Sequence, residues 1–582
     1  MVQIILKRLG EYKKASILTP VYMVLEVAME MLIPLMMASI IDKGVTQGDM
    51  SHIVKMGGLM VVAAAIGLFG GVMGGRYGAE ASAGLARNLR RSMYEKIQTF
   101  AFSNIDKFST PGLITRMTTD VTNIQNAYQM ILRMCVRSLI SLIVAMLMSL
   151  NISPRISLIF FCAVLFLSVV FSFMIRLAMK YFTAVFARYD DLNESVQENI
   201  TGIRVVKAFV REDHEREKFA TANQNIYNML VRAENVVVSN MPIMMMTIYV
   251  CILLISWNGA HMIVAGDLTT GQLMSLFSYC LNILMSLMML SVTFVMITMS
   301  SASAKRIAEV LSEEPDLKNP EDPVLQVSDG SIRFDKVSFR YQKESPDPVL
   351  DDISLSIRSG ETIGIIGATG SSKSSLVNLI SRIYDVSEGS VSVGGIDVRR
   401  YDMKALRNQV AVVLQKNVLF SGTVLDNLRW GKADATVEEC ERVCRIAHAH
   451  EFVEKMEKGY ETYIEQGGSN ISGGQKQRLC IARALLKEPK VLILDDSTSA
   501  VDTATDAAIR EALRNELKDL TTLIIAQRIS SVQDADRILV LDKGRISGFD
   551  THEKLLEENE IYRDIYESQT GLGAGADFDK QS

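Results

Sequence analysis

Six runs of mostly apolar residues, at 15–41, 53–79, 130–150, 156–178, 240–263 and 271–299, fill most of the first half of the chain. Each is about as long as the ~20 residues a helix needs to cross the hydrocarbon core of a bilayer. No water reaches backbone groups there, so each run must satisfy its own hydrogen bonds, and a helix does so. An even number of crossings leaves both ends of the chain on one side. The connections at 42–52, 151–155 and 264–270 are short and carry one base or none, whereas those at 80–129 and 179–239 hold Arg87, Arg90, Arg91, Lys96, Arg188, Arg204, Lys207 and Arg211. The positive-inside rule therefore puts the long loops and both termini in the cytoplasm. Both long loops are polar but helical in pattern, so the helices are expected to continue beyond the membrane. The opening MVQIILKRLGEYKK has its apolar residues before its bases and no small-residue cleavage site. It reads as an amphipathic segment on the inner membrane surface rather than a removable signal.

At 582 residues the chain exceeds what one hydrophobic core supports. Membrane helices occupy residues 1–310. An acidic, proline-bearing linker, EEPDLKNPEDP, lies in 311–329, and over 330–570 short β-rich runs alternate with helical ones in the manner of an α/β domain. The tail 571–582 has no apolar periodicity and is expected to be disordered. A net charge of -5 with both signs interspersed gives no basic field, which sets nucleic acid aside as a partner. The seven cysteines are scattered without histidines at ligand spacing, so they are expected to be reduced thiols rather than metal ligands.

Within the α/β region the strand-like ETIGIIG runs through GATGSSKSSL into the helical SLVNLISRIY. A strand, a glycine-rich turn and a helix N-terminus surround phosphates with backbone N–H groups and the positive helix end. Lys373 would reach the outer phosphates and Ser374 would hold Mg²⁺. The GxxxxGK[ST] pattern departs at one place, where Ser372 stands for the last glycine. Some 120 residues on, KVLILDDSTSAVD gives an apolar strand ending in Asp495, the type of carboxylate that completes such a metal site. NISGGQKQR, between the two, is more specific than either.

With these motifs in this order the chain resembles the exporter class of ATP-binding cassette (ABC) transporters along nearly its whole length. The resemblance implies a multidomain membrane protein, a six-helix transmembrane domain followed by an α/β P-loop nucleotide-binding cassette. It assigns Tyr341 to stacking on adenine, and Gly367, Ala368, Thr369, Gly370, Ser371, Ser372, Lys373, Ser374 and Ser375 to the phosphate loop. Ser374, Gln415 and Asp495 would hold Mg²⁺ beside ATP. Ser472, Gly473, Gly474 and Gln475 form the signature which, with Asp502, acts on ATP bound to a second cassette. A chain with one cassette is a half-transporter and must pair. FSTPGLITRMTTDV and ENITGIRVVKAFVRE match the family's cytoplasmic loops, and coupling helices that rest on the cassettes are expected near 102–116 and 203–215.

Three residues depart from the family. Asp496 stands where hydrolysing cassettes carry the general base Glu, and its carboxylate falls one methylene short. Gln527 replaces a histidine that contacts the terminal phosphate, and Gln cannot carry positive charge or shuttle a proton. Ser372 is the third. The signature is nearly intact, with Ile471 for the usual Leu. The chain thus resembles the degenerate-site subunit of heterodimeric bacterial multidrug exporters, which implies a cell-membrane heterodimer moving drugs, lipids or other amphiphiles. A homodimeric exporter of a specific lipid or peptide, and a regulatory ATP-binding subunit, are the alternatives.

Glu26 and Glu30 lie four apart in the first run and share one helical face. Carboxylates at that depth either line a cavity that favours cationic amphiphiles or pair with a base on a neighbouring helix. Met244 to Met246 and Met285 to Met289 supply either an adaptable substrate surface or ordinary packing.

Overall fold

The computed structural model describes residues 1–341, 345–496 and 502–570, with backbone alone at 183, 186, 187, 190, 191 and 194. The expected disordered tail, 571–582, lies outside the described residues. Two compact units form. One holds Met1–Thr99 and Phe108–Glu313, the other Phe100–Lys107 and the chain from Glu314 onward.

The first unit contains helices α1 (Val2–Val45), α2 (Met50–Gln98), α4 (Thr110–Ile152), α5 (Pro154–Thr201), α6 (Ile203–Ala208), α7 (Glu212–Ala265) and α8 (Thr270–Ser312), and α3 (Phe102–Phe108) falls almost wholly in the second unit. All six expected crossings are present as helices. They run well past the apolar stretches because the polar loops carry no breaker strong enough to stop them. At 1.5 Å per residue the 49 residues of α2 span about 73 Å, more than twice a bilayer core. The chain breaks at the short turns between crossings, where caps take over the first N–H groups. Asp49 accepts from His52 N, Ser153 accepts from Ile156 N ahead of Pro154, and Thr269 with Gln272 forms a capping box.

Small residues let the membrane helices approach closely. A Cβ on Gly271 would lie 2.4 Å from the Ala38 carbonyl oxygen, so any larger residue would force α8 off α1. The core shared by α1, α5, α7 and α8 buries Val27, Met31, Phe160, Leu167, Ile248 and Ile283, and the Tyr279 hydroxyl of α8 donates to the Met31 carbonyl of α1 at 2.8 Å. Glu26 and Glu30 do share a face, and a base on a neighbouring helix meets it. Arg137 of α4 places Nε 3.5 Å from Glu26 and a terminal nitrogen 2.9 Å from Glu30. Met244 is buried, whereas Met246, Met285 and Met289 are exposed.

In the second unit a four-stranded antiparallel sheet, β2-β1-β4-β5, joins β1 (Ile332–Phe339), β2 (Leu350–Ile357), β4 (Glu388–Val393) and β5 (Ile396–Asp397). A six-stranded sheet in the order β12-β11-β3-β10-β9-β6 is built from β3 (Thr362–Ile366), β6 (Val410–Val413), β9 (Val491–Asp495), β10 (Thr521–Ile525), β11 (Arg537–Asp542) and β12 (Arg545–Asp550). A short ribbon pairs β7 (Gly422–Thr423) with β8 (Tyr463–Ile464). All strands of the large sheet but β12 run parallel, and β9 and β10 are buried at every residue. Parallel strands covered on both faces read as near-continuous apolar runs, and VLILD and TTLII are apolar but for the terminal Asp495 and the leading Thr521 and Thr522. The helices that matter for the site are α9 (Lys373–Ile380), α10 (Gly473–Leu485), α11 (Thr503–Glu516) and α12 (Glu560–Thr570).

Candidate nucleotide site

Strand register gathers the predicted residues at one edge. Ile525 pairs with Ile365 on one side and with Asp495 on the other. The loop after β3, the Asp495–Asp496 pair after β9 and Gln527 after β10 therefore emerge together from the carboxyl ends of adjacent parallel strands, where α/β sheets take ligands. A cleft of about 320 Å³ opens there, lined by Lys373, Ser374, Gln415, Asp495, Asp496 and Gln527 among others.

The loop 367–372 wraps the N-terminus of α9. A Cβ on Gly367 would sit 2.2 Å from the Leu541 carbonyl oxygen, so the backbone passes too close to β11 for any side chain. Ser372, where the family pattern has glycine, adopts φ 74° and ψ 22°, the left-handed region that costs an L-residue ~1–2 kcal/mol. Lys373 donates to the carbonyls of Gly367 and Ala368 at 2.8 and 2.9 Å and to Ser371 Oγ at 3.3 Å. The ammonium is thus folded over the loop that would cradle phosphates. Burial holds its pKa below the usual lysine range, against the opposing pull of Asp496 and Asp495.

Ser374 Oγ donates to Asp495 at 3.0 Å. Burial pushes the Asp495 carboxyl up, and the neighbouring Asp496 adds to it. A buried carboxylate beside a hydroxyl, with an amide at the rim, is an all-oxygen donor set of the kind Mg²⁺ takes when phosphates complete its shell. No cluster of three His, Cys, Asp or Glu exists among the described residues, so this is not an all-protein metal cage.

Asp496 sits at φ 45°, and its Oδ2 accepts from Gln527 at 2.8 Å and from Gln415 at 3.2 Å. Two of the three residues at which the chain departs from the family pattern, Asp496 and Gln527, are therefore in direct contact. Tyr341 is about half exposed, and its hydroxyl lies 2.8 Å from Ser375 Oγ, in the first turn of α9.

The signature residues stand elsewhere. Ser472 caps α10 through a reciprocal pair with Gln475, accepting from its N–H at 3.3 Å while its own N–H donates to the Gln475 side chain at 2.9 Å. Gly473 and Gly474 form the first turn of α10. Asp502 caps α11 through Thr505, whose N–H and hydroxyl hold its pKa low. None of these residues lines the phosphate cleft. Within one chain, the phosphate loop and the signature are separate surfaces.

Motif reading does not single out Gln569 or Tyr384. Gln569 of α12 donates to the Gln527 carbonyl and accepts from Ile529 N–H, both at 2.8 Å, and so brackets the switch segment. Tyr384 donates to Asp106 at 2.8 Å. No local spacing announces either contact, because each joins residues dozens to hundreds of positions apart.

Family comparison matches residues 17–288 to the ABC transporter transmembrane region and residues 350–499 to the ABC transporter family. The uncharacterized ABC transporter ATP-binding protein YfiB of Bacillus subtilis (strain 168) is 36% identical, covering 97% of this chain and 98% of its own. The ATP-dependent lipid A-core flippase of Desulfotalea psychrophila is 31% identical, covering 83% of this chain and 84% of its own. Among solved structures, a bacterial Atm1-family ABC exporter with ATP bound superposes with a TM-score of 0.82 at 23% identity, over 96% of this chain and 99% of that one. With six membrane helices, one ATP-binding cassette and full-length relatives of this kind, the chain belongs to the ABC transporters, as a half-transporter of exporter fold.

Proposed function

We propose that the chain is one subunit of a heterodimeric efflux pump in the cell membrane, with both termini cytoplasmic, and that it contributes the degenerate ATP site. The observation that carries this reading is the Asp496 carboxylate, shorter than the usual Glu and engaged by two glutamine amides. A carboxylate so held is poorly placed to take a proton from water, and neither Gln527 nor Gln415 supplies a proton or a charge at neutral pH. Lys373, the phosphate loop and the Ser374–Asp495 pair keep what ATP binding requires. Mg²⁺ held by Ser374, Asp495 and Gln415 would neutralise charge on the outer phosphates. Tyr341 offers its half-exposed ring to the adenine.

Pairing is supported by two surfaces. The signature residues lie outside this chain's own cleft and are capped, well-formed helix starts ready to meet a partner's nucleotide. At the α6 turn Phe209 and Val210 are 73% and 81% exposed, an apolar tip suited to cover by a second chain. ATP closing the two cassettes would move the coupling segments and switch the membrane helices between inward-facing and outward-facing states. Hydrolysis at the partner-based site would reset them.

For cargo we favour amphiphiles, drugs or lipids. The side chains of Glu26 and Glu30 remain 23% and 37% exposed beside Arg137, enough to meet a cationic group. The lipid named for the Desulfotalea relative fits the same class. The test is ATPase activity and dye export in vesicles, with this chain alone and with a second half-transporter. Activity only with the partner, lost when the partner's catalytic Glu is changed but kept in part when Asp496 is changed, is the expected result. Full activity from this chain alone would overturn the heterodimer.

A further inference from the structure

Leading to the rim of the phosphate cleft, a continuous line of side chains in the second unit joins residues that the sequence keeps far apart. It starts in α3. Asp106 accepts a hydrogen bond from the Tyr384 hydroxyl at 2.8 Å. The Tyr384 ring meets Tyr341 edge-on, with centroids 5.1 Å apart and planes at 89°. The Tyr341 hydroxyl then lies 2.8 Å from Ser375 Oγ, two residues past Lys373. Phe339 braces both rings, at 4.8 Å from Tyr341 and 5.7 Å from Tyr384, and Phe102 of α3 closes on Tyr384 at 6.4 Å. Burial, and then the Asp106 hydrogen bond, raise the Tyr384 phenol, so it stays protonated and donates.

Edge-to-face rings constrain each other's tilt, and a hydroxyl anchored at its far end cannot swing freely. The orientation of Tyr341 is thus set from three directions: Phe339, Ser375, and Tyr384 as held by Asp106. Only the last passes through a segment of the polar loop between the second and third crossings. We propose that Asp106 and Tyr384 are positioning residues for the nucleotide base, so that docking of residues 100–107 sets the tilt of the Tyr341 platform. Linkage makes the effect reciprocal: a base stacked on Tyr341 strengthens the docking of that segment by the same factor. The proposal rests on Tyr341 as the adenine platform.

A ligand without a base separates this role from general support of the phosphate loop. The experiment measures equilibrium binding of MgATP and of inorganic tripolyphosphate with Mg²⁺ to the full chain in lipid nanodiscs. Tyr384→Phe removes one hydroxyl and keeps the ring, and Asp106→Ala removes the acceptor from the other end. Each is expected to weaken ATP binding about three- to tenfold, the scale of one ordinary hydrogen bond lost at a residue that does not itself touch the ligand, and to leave tripolyphosphate binding unchanged. The double variant should be no weaker than either single one, because both delete one bond. ATP should also slow amide exchange over residues 100–107 in the wild type, and Tyr384→Phe should abolish that protection.

Tyr341→Ala serves as the control on the underlying reading. If it weakens ATP and spares tripolyphosphate while the Asp106 and Tyr384 variants leave ATP affinity unchanged, the positioning role is wrong and the platform stands. Equal weakening of both ligands by Tyr384→Phe, or additive losses in the double variant, also overturns it. If Tyr341→Ala leaves ATP binding intact, the platform reading fails and the positioning role falls with it.

Discussion

Replacing Asp496 by Glu should restore hydrolysis to this chain's own site. The extra methylene carries the carboxylate about 1.5 Å farther, one carbon–carbon bond. A misplacement of ~1 Å in a reacting group costs on the order of 100-fold, so restored reach is worth up to about 100-fold in turnover, or ~2.7 kcal/mol. Two features of the structure oppose the gain. The backbone at 496 has φ 45°, which Asp tolerates better than Glu, and the longer side chain must leave the two amides at 2.8 and 3.2 Å. Together they cost about 1 kcal/mol, which sets the expected rise between about 10-fold and 100-fold. The assay is phosphate release at saturating MgATP from the full chain in nanodiscs, alone and beside a second half-transporter whose own catalytic Glu is changed to Gln. ATP affinity is measured on the same samples. Unchanged turnover with ATP binding intact would refute the claim that reach limits this site.

Ser372→Gly should raise the melting temperature of the nucleotide-free chain, since it relieves a left-handed serine whose side chain makes no cap hydrogen bond; after the extra entropy of glycine the net gain is about 1 kcal/mol. Lys373→Ala should abolish measurable ATP binding by filter or calorimetric assay, because it removes both the charge for the outer phosphates and the three bonds that shape the loop. Asp495→Asn should stabilise the nucleotide-free chain at neutral pH. The folded pKa lies above the unfolded value, so the protonated form favours folding below the ordinary carboxylate range, and that contribution is lost as pH rises through the folded pKa. The stabilisation should therefore disappear on acidification in thermal unfolding, while Mg²⁺-dependent ATP binding is lost at all pH values. Changing Glu26 and Glu30 together to Gln should slow export of cationic dyes from vesicles, and unchanged transport of every cationic dye tested would remove them from the cargo path.

Much of this architecture was legible in one dimension. The six crossings follow from run length alone, because a bilayer allows an apolar run of that size little besides a helix. The phosphate loop, the signature and the Asp495 strand are local, each a string of neighbours whose spacing carries its chemistry. The departures at Ser372, Asp496 and Gln527 could likewise be read by position. Less accessible were the helix ends, since a polar helix extending into water has no hydropathy edge, and α2 runs to Gln98 where the apolar run stops near 79.

Glu26 and Glu30 mark the limit. Their spacing put them on one face, but only packing determined that Arg137, more than a hundred residues away, would meet that face. The same holds for the site. The sequence by itself determined which side chains are candidates for the chemistry, because a phosphate loop is built from consecutive backbone. Only the tertiary structure decided that Gln527 and Gln415 both close on Asp496, that Gln569 brackets the switch segment, and that Asp106 reaches Tyr341 through Tyr384. Those contacts depend on strand register and on the meeting of distant elements, and no period of 2 or 3.6 residues encodes either.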